Sequence, residues 1–205
     1  MVSALAIKRI QVQREKQNKA LNIDIEYTIS KCLENNRKAQ QALYNYTYSH
    51  LLNAVQRYVS ENQDVNWVFN MGMLKVFNAL KKYKKNTNYL GFARTILVRN
   101  AIDFIRSTIQ VNSIMTPLEV TFDKAADEGL ENALNKLEAD DVMTLIQTLP
   151  DKERLIFSMY EIDGFNHKEI QKHTGINKNT SKWLLAKAKK ELRARIYSHY
   201  NYKHS

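Results

Sequence analysis

The sequence predicts an all-α fold in two small helical domains joined by an acidic linker. Three observations predict it. Apolar residues recur at three- and four-residue spacing through both halves of the chain, the signature of helices with one buried face. No stretch shows the strict apolar–polar alternation of a strand. Only five Gly and two Pro occur among 205 residues, too few for a fold built on many tight turns.

Residues 1 to 24 carry Lys8, Arg9, Arg14, Lys16 and Lys19 without sustained periodicity and read as a basic, partly helical or frayed N-terminal arm. From Asp24 to Val59 two helical sets follow. Ile25, Ile29 and Leu33 form the first; Leu43, Tyr44, Tyr48, Leu51, Leu52, Val55 and Tyr58 form the second. The polar stretch 34–41 between them predicts a short turn or offset. A helix from about Asp64 to Tyr83 carries the apolar stripe Val68, Phe69, Met73, Val76, Phe77 and Leu80. Beside it lies a second apolar row, Trp67, Met71 and Leu74, so this helix is apolar on two sides. The basic turn "KKYKKNTN" offers Asn86, Thr87 and Asn88 as caps for a helix from about Tyr89 to Ser107. That helix shows the stripe Phe92, Ile96, Arg99/Asn100, Asp103 and Arg106, polar toward its end.

From Thr108 to Asp141 the character changes. Eight acids face two lysines, a net of −6 inside a protein of +10. This predicts a linker over 108–138, part flexible and part helical near Leu130 to Leu137. The rest, 139–205, is helical again, with a short helix at Val142 to Leu149. Pro150 reads as the first residue of the next helix, with Asp151 and Glu153 in the first turn where the helix dipole favours negative charge. Leu155, Ile156, Met159 and Tyr160 supply its buried face, and Gly164 closes it. Asn166 and Glu169 have capping-box spacing, Gly175 permits a sharp turn, and Asn177 caps a final helix with Ser181, Leu185, Ala188, Leu192 and Ile196 on one face.

Charge and composition bound the function. A surplus of ten positive charges favours a polyanionic partner, nucleic acid before anionic membrane. No 18-residue apolar run is present, and Met1 to Ile7 is too short an apolar run for a secretory segment, so a cytoplasmic protein without membrane insertion is expected. One cysteine, Cys32, excludes an internal disulfide framework; it reads as a packing residue. The five histidines lack metal-ligand spacing, and no phosphate-binding loop or nucleophile motif occurs, so no catalytic residue, metal, cofactor or small-molecule substrate is expected.

The strongest motif is "FNHKEIQKHTGINKNTSKWLLAKAKKELRARI". A capped short helix, a Gly-centred turn and a longer basic helix make a helix-turn-helix over about 166–187. In such a unit the second helix enters the major groove with its N-terminal residues toward the bases. Here these are Lys178, Asn179, Thr180, Lys182 and Trp183, with Lys187 and Lys190 behind them. Seven bases and one acid between Asn177 and Ile196 suit phosphate contacts.

The stretch "TLPDKERLIFSMYEIDGFNHKEIQKHTGINKNTSKWLLAKAKKEL" resembles region 4 of the sigma-70 family in its short, extracytoplasmic-function form. The resemblance rests on Leu149-Pro150, Arg154, Phe157, Gly164, Glu169-Ile170, Gly175-Ile176, Thr180, Lys182, Ala188 and Leu192. "NRKAQQALYNYTYSHLLNAVQRYV" and "GFARTILVRNAIDFIRS" are similar to region 2, with Phe92 at the family's Trp position and Arg94, Ile96, Ile102, Asp103 and Arg106 in register. "TSKW" after the turn is similar to divergent Bacteroidota members. The resemblance covers about residues 25–107 and 138–197.

The resemblance implies a partnership with core RNA polymerase and promoter DNA, and allows an anti-sigma factor as a further partner. Region 4 would read the −35 element as duplex. Region 2 would open and bind the −10 element as a single strand through Lys84, Lys85, Tyr89, Phe92, Arg94, Arg99, Asn100 and Arg106. Core packing is the competing role for each aromatic, and Asp103 is expected to pair with a nearby arginine. The linker would thread through the polymerase, and region 3 is absent. Arg99 stands where the family usually has Asn, and Leu184 where many members carry a base. The doubly apolar helix falls in register with the polymerase-docking helix, where many members present Asp, Gln and Glu. This chain puts Trp67, Asn70 and Met71 there, with Leu74 beyond, so docking is expected to be apolar more than electrostatic. Two other functions stay open: a helix-turn-helix regulator with an N-terminal partner or dimerisation module, and a partner-sequestering protein.

Overall fold

The computed structural model describes residues 23–59, 65–108 and 139–203, all of them helix, turn or cap, with no strand among the described residues. The basic arm and the acidic linker lie outside the described residues, save their edges. The chain divides into two compact units, whose described parts run to Phe104 and onward from Ile105.

In the N-terminal unit, α1 (Ile25–Leu33) starts at Asp24, whose carboxylate accepts the Tyr27 N–H at 3.0 Å. The connection to α2 (Arg37–Gln56) is shorter than the polar stretch suggests. Asn35 adopts a left-handed φ of 61°, and the Asn36 side chain accepts the Ala39 N–H at 3.1 Å, so the helix resumes within three residues. The second half of the polar stretch, from Arg37, therefore lies on a helix surface rather than in a turn.

Next come α3 (Val65–Ala79), a 3₁₀ turn (Leu80–Lys82) and α4 (Tyr89–Thr108). Asn88 caps α4 by accepting the Gly91 N–H at 3.0 Å. The core is built from Leu43, Leu51 and Val55 of α2, Val68, Phe69, Met73 and Val76 of α3, and Ala93, Leu97 and Ala101 of α4. Cys32 is buried with them, and burial raises its thiol pKa, which keeps it an inert packing group.

The face of α4 differs from the stripe the sequence suggests. Phe92, Ile96, Arg99, Asp103 and Arg106 run along the outer side, whereas Tyr89, Ala93, Leu97, Asn100 and Ala101 turn inward. The crossing with α3 fixes this choice. At Gly72 a Cβ would lie 2.7 Å from Leu97 Cδ2, and the Asn100 side-chain amide donates to the Val68 carbonyl at 2.9 Å. The bare backbone at Gly72 makes room for the buried Leu97 side chain, which a Cβ there would have to push aside.

The C-terminal unit contains α5 (Ala139–Gln147), α6 (Asp151–Phe157) with a π-helical continuation (Ser158–Ile162), α7 (His167–Thr174) and α8 (Lys178–Lys203). Pro150 is the N-cap of α6 rather than its first residue: its ψ of 150° is extended, and the helix begins at Asp151. Gly164 and Gly175, with φ of 75° and 78°, take left-handed conformations that L side chains resist, and each ends a helix there. α8 packs across α5, α6 and α7, burying Ser181, Leu184, Leu185, Ala188, Leu192 and Ile196.

Replacing Gly72 by Val should cost about 2 kcal/mol, because the added methyls overpack a filled helix crossing. Urea unfolding of the two chains checks it; equal midpoints would show that the crossing is slack.

Candidate nucleic-acid and partner-docking surfaces

The corner that carries the helix-turn-helix is organised by a buried arginine. Arg154, 1% exposed, donates to the carbonyls of Leu149 (3.0 Å) and Gln147 (3.2 Å) and pairs with the Asp151 carboxylate. Its guanidinium thereby satisfies the carbonyls left open where α5 ends. Two buried acids reach α8, Glu153 from the first turn of α6 and Glu161 from its π-helical continuation. Glu153 accepts from Lys187 at 2.6 Å, and Glu161 forms an ion pair with Lys189 at 2.8 Å.

α7 and the turn are locked locally. Asn166 accepts the N–H groups of Lys168 (2.9 Å) and Glu169 (3.0 Å), while Glu169 accepts the Asn166 N–H at 2.8 Å, a complete capping box. Asn177 caps α8 by accepting the Thr180 N–H at 2.9 Å. The two helices are joined by His167, stacked on Tyr160 with centroids 4.5 Å apart and with Nδ1 2.9 Å from the Ser181 hydroxyl oxygen.

This geometry sorts the residues expected to face DNA. Lys178, Asn179, Lys187 and Lys190 are exposed, and Lys182 and Trp183 are partly exposed, all along one side of α8. Thr180 is a correction: it is buried at the start of the helix, because its position points back into the turn. Lys187 is exposed but engaged, held by Glu153 and lying 5.4 Å over the Trp183 ring. Leu184, which the resemblance aligns with basic residues, is a core residue here.

In the N-terminal unit, Lys84 and Lys85 are exposed on the turn between α3 and α4. Phe92 is half-buried, its ring edge-on to Tyr83 at 5.5 Å. Arg99 is exposed on the outer stripe of α4 and Arg94 is partly exposed; Arg106, exposed beyond the boundary and so part of the second unit, donates to the His173 carbonyl at 3.2 Å. Two expected residues are corrected. The Tyr89 hydroxyl is buried and lies 2.7 Å from that of Thr47, and burial raises its pKa, so its ring is a core element and not a stacking platform. Asn100 is 7% exposed and spends its amide on the Val68 carbonyl.

The second apolar row emerges on the surface. Trp67, Met71 and Leu74 are 51%, 39% and 56% exposed, while Val68, Phe69, Met73 and Val76 of the same helix are buried. Trp67 leans on Phe104 at a centroid distance of 5.6 Å. Asn70 is also exposed, its Oδ1 accepting the Tyr44 hydroxyl at 2.7 Å; Tyr48 makes the same kind of bond to Asn66 at 3.0 Å. Tyr44 and Tyr48 both present edge geometry to Phe69, so this polar–aromatic brace sets the rotation of α3. The sequence alone did not reveal the brace, whose partners are 26 and 18 residues apart.

A capped helix, a left-handed glycine turn and a basic second helix with an open lysine-bearing side define the C-terminal unit as a helix-turn-helix DNA-binding domain. Residues 139–192 match the family model described as Sigma-70, region 4, which gives this unit a DNA-binding role in transcription. No curated protein matches the chain. Among the described residues no group of His, Cys, Asp and Glu could hold a metal ion, and no helix is long and apolar enough to cross a membrane.

Burial, and then the charges of Lys182, Lys178 and Lys189, push the His167 pKa below the ordinary imidazole value. The unfolded chain therefore takes up the proton first as pH falls. Stability from neutral His167 is complete above the unfolded value of about 6.5 and is lost as pH falls from there through the lower folded value. The fall in Tm between about pH 7.5 and pH 5 should thus be larger for the native chain than for His167→Gln. Identical falls would remove His167 from the account.

Proposed function

We propose that the chain is an alternative sigma factor of the extracytoplasmic-function type, similar to divergent Bacteroidota members, and not an enzyme. It binds core RNA polymerase in the cytoplasm and directs promoter recognition and DNA opening. The observation that carries this reading is the region 4 match over residues 139–192, on a helix-turn-helix whose lysine side is open.

In this reading Lys178, Asn179, Lys182 and Trp183 approach the −35 duplex from the N-terminal half of α8, and Lys190 reaches a phosphate. Lys187 has to leave Glu153, or neutralise it, before it can do the same. The exposed turn with Lys84 and Lys85 and the outer stripe with Phe92, Arg99 and Arg106 track the opened −10 strand, with Arg94 beside them. Trp67, Met71 and Leu74 form the polymerase-docking row. An exposed apolar row on a helix whose other side is fully used in the core is a partner surface, and Trp is a frequent anchor.

A helix-turn-helix regulator that dimerises through the Trp67 row is the second reading, favoured by a family match confined to the C-terminal unit. Core pull-down followed by run-off transcription separates the two. A sigma factor is retained and yields promoter-specific transcripts. A dimer by light scattering that binds duplex tightly without polymerase favours the regulator.

Trp67→Ala should weaken core-polymerase binding by about 2 kcal/mol, by a similar factor at low and high salt, as competition binding would record. Replacing Lys178 and Lys190 by Ala should reduce the slope of log affinity for duplex against log salt by about 2, since each phosphate contact contributes about 0.9. An unchanged slope in a duplex titration would take these two lysines off the DNA.

A further inference from the structure

Beneath the basic turn between α3 and α4 lies a carboxylate that the charge pattern does not anticipate. Glu26, in the first turn of α1, accepts two hydrogen bonds at one oxygen: from the Tyr83 hydroxyl and from the Asn86 backbone N–H, both at 3.0 Å. Asn86 has a left-handed φ of 60°, so its N–H points away from the usual local partners. The rest of the turn closes on itself. The Tyr83 hydroxyl shares its one proton between Glu26 and the Thr87 carbonyl, which lies at 2.6 Å, and the Thr87 hydroxyl donates to the Lys84 carbonyl at 2.6 Å. Tyr83 in turn supports Phe92 edge-on.

Glu26 is thus the one contact among these that ties the turn to a different helix, 57 and 60 residues away in sequence. Its carboxylate bonds the backbone N–H next to Lys85, so a negative charge lies on the turn that carries Lys84 and Lys85, where it weakens the attraction of a polyanion. A carboxylate in that place is electrostatically adverse for nucleic acid and structurally useful only as an acceptor.

We propose that Glu26 is a positioning residue for single-stranded DNA binding. It pins the Asn86 backbone and the Tyr83 ring so that Lys84, Lys85 and Phe92 meet the strand in one arrangement, without touching it. This rests on the reading of that turn as part of the single-strand surface. Preordering a loop removes the entropy lost on binding, and here that gain outweighs the charge repulsion.

The two effects have opposite signs, which makes the test decisive. Full-length chains are titrated against a fluorescent mixed-sequence single-stranded oligonucleotide at low salt, and against a duplex as control. Glu26→Ala should lower single-strand affinity about five- to tenfold, the worth of about one hydrogen bond. Duplex affinity should hold, and Asn86 amide exchange, followed by NMR, should accelerate. Glu26→Gln keeps an acceptor oxygen and sheds the charge, so it should bind the single strand at least as well as the native chain. If both variants bind more tightly, Glu26 is only a repulsive charge and the proposal is overturned. A Lys84→Ala, Lys85→Ala chain separates the proposal from its premise. If that chain loses single-strand binding while Glu26→Ala does not, Glu26 alone is dismissed. If it binds as well as the native chain, the reading of the turn falls, and the proposal with it.

Discussion

The C-terminal unit depends on removing a guanidinium from water without leaving it unpaired. Arg154 is almost wholly buried, yet both terminal nitrogens of its fork end on oxygens: two carbonyls at the end of α5 and the Asp151 carboxylate at the start of α6. A buried ion held this way is costly to break, because removing one partner strands the others in a low-dielectric interior. The corner between α5 and α6 is therefore rigid. Glu153 near the start of α6 bonds Lys187, and Glu161 in its π-helical continuation pairs with Lys189, so α8 is held from both ends of that segment. The position of the recognition helix follows from a polar contact far from its exposed side.

The N-terminal unit solves a different problem by a steric route. A helix apolar on two sides must choose which side to bury. Gly72 favours one side, since its bare backbone leaves room for Leu97 of α4, and Asn100 bonds the Val68 carbonyl beside it. With that side committed, Trp67, Met71 and Leu74 are turned outward. Tyr44 and Tyr48 reinforce the rotation through Asn70 and Asn66. The exposed row is a consequence of the crossing, and it leaves apolar area in contact with water.

Much of the helix plan was legible from residue order because its signals are local. Asn88, Asn166 and Asn177 cap the helices they were expected to cap, the capping box forms, and Gly164 and Gly175 end their helices. These features involve residues within four positions of one another, so spacing suffices to read them. The same reasoning missed by small steps where two local solutions compete. Pro150 serves equally well before a helix or in its first turn, and Asn35–Asn36 makes a tighter turn than the eight-residue stretch 34–41 suggests.

By itself the sequence determined an all-α chain with a helix-turn-helix near its C-terminal end, a basic recognition helix and one helix with surplus apolar surface. Periodicity, capping chemistry and charge are properties of a single segment, and no distant partner is needed to see them. The tertiary structure alone decided which face each helix presents. Tyr89, Asn100 and Thr180 carry groups suited to binding DNA, yet they point inward because Thr47, the Val68 carbonyl and the helix-turn-helix core lie there. Glu26 acquired its place under the basic turn in the same way, through contacts 57 and 60 residues along the chain. Facing is set by what packs opposite, and what packs opposite is a long-range property that no local pattern encodes.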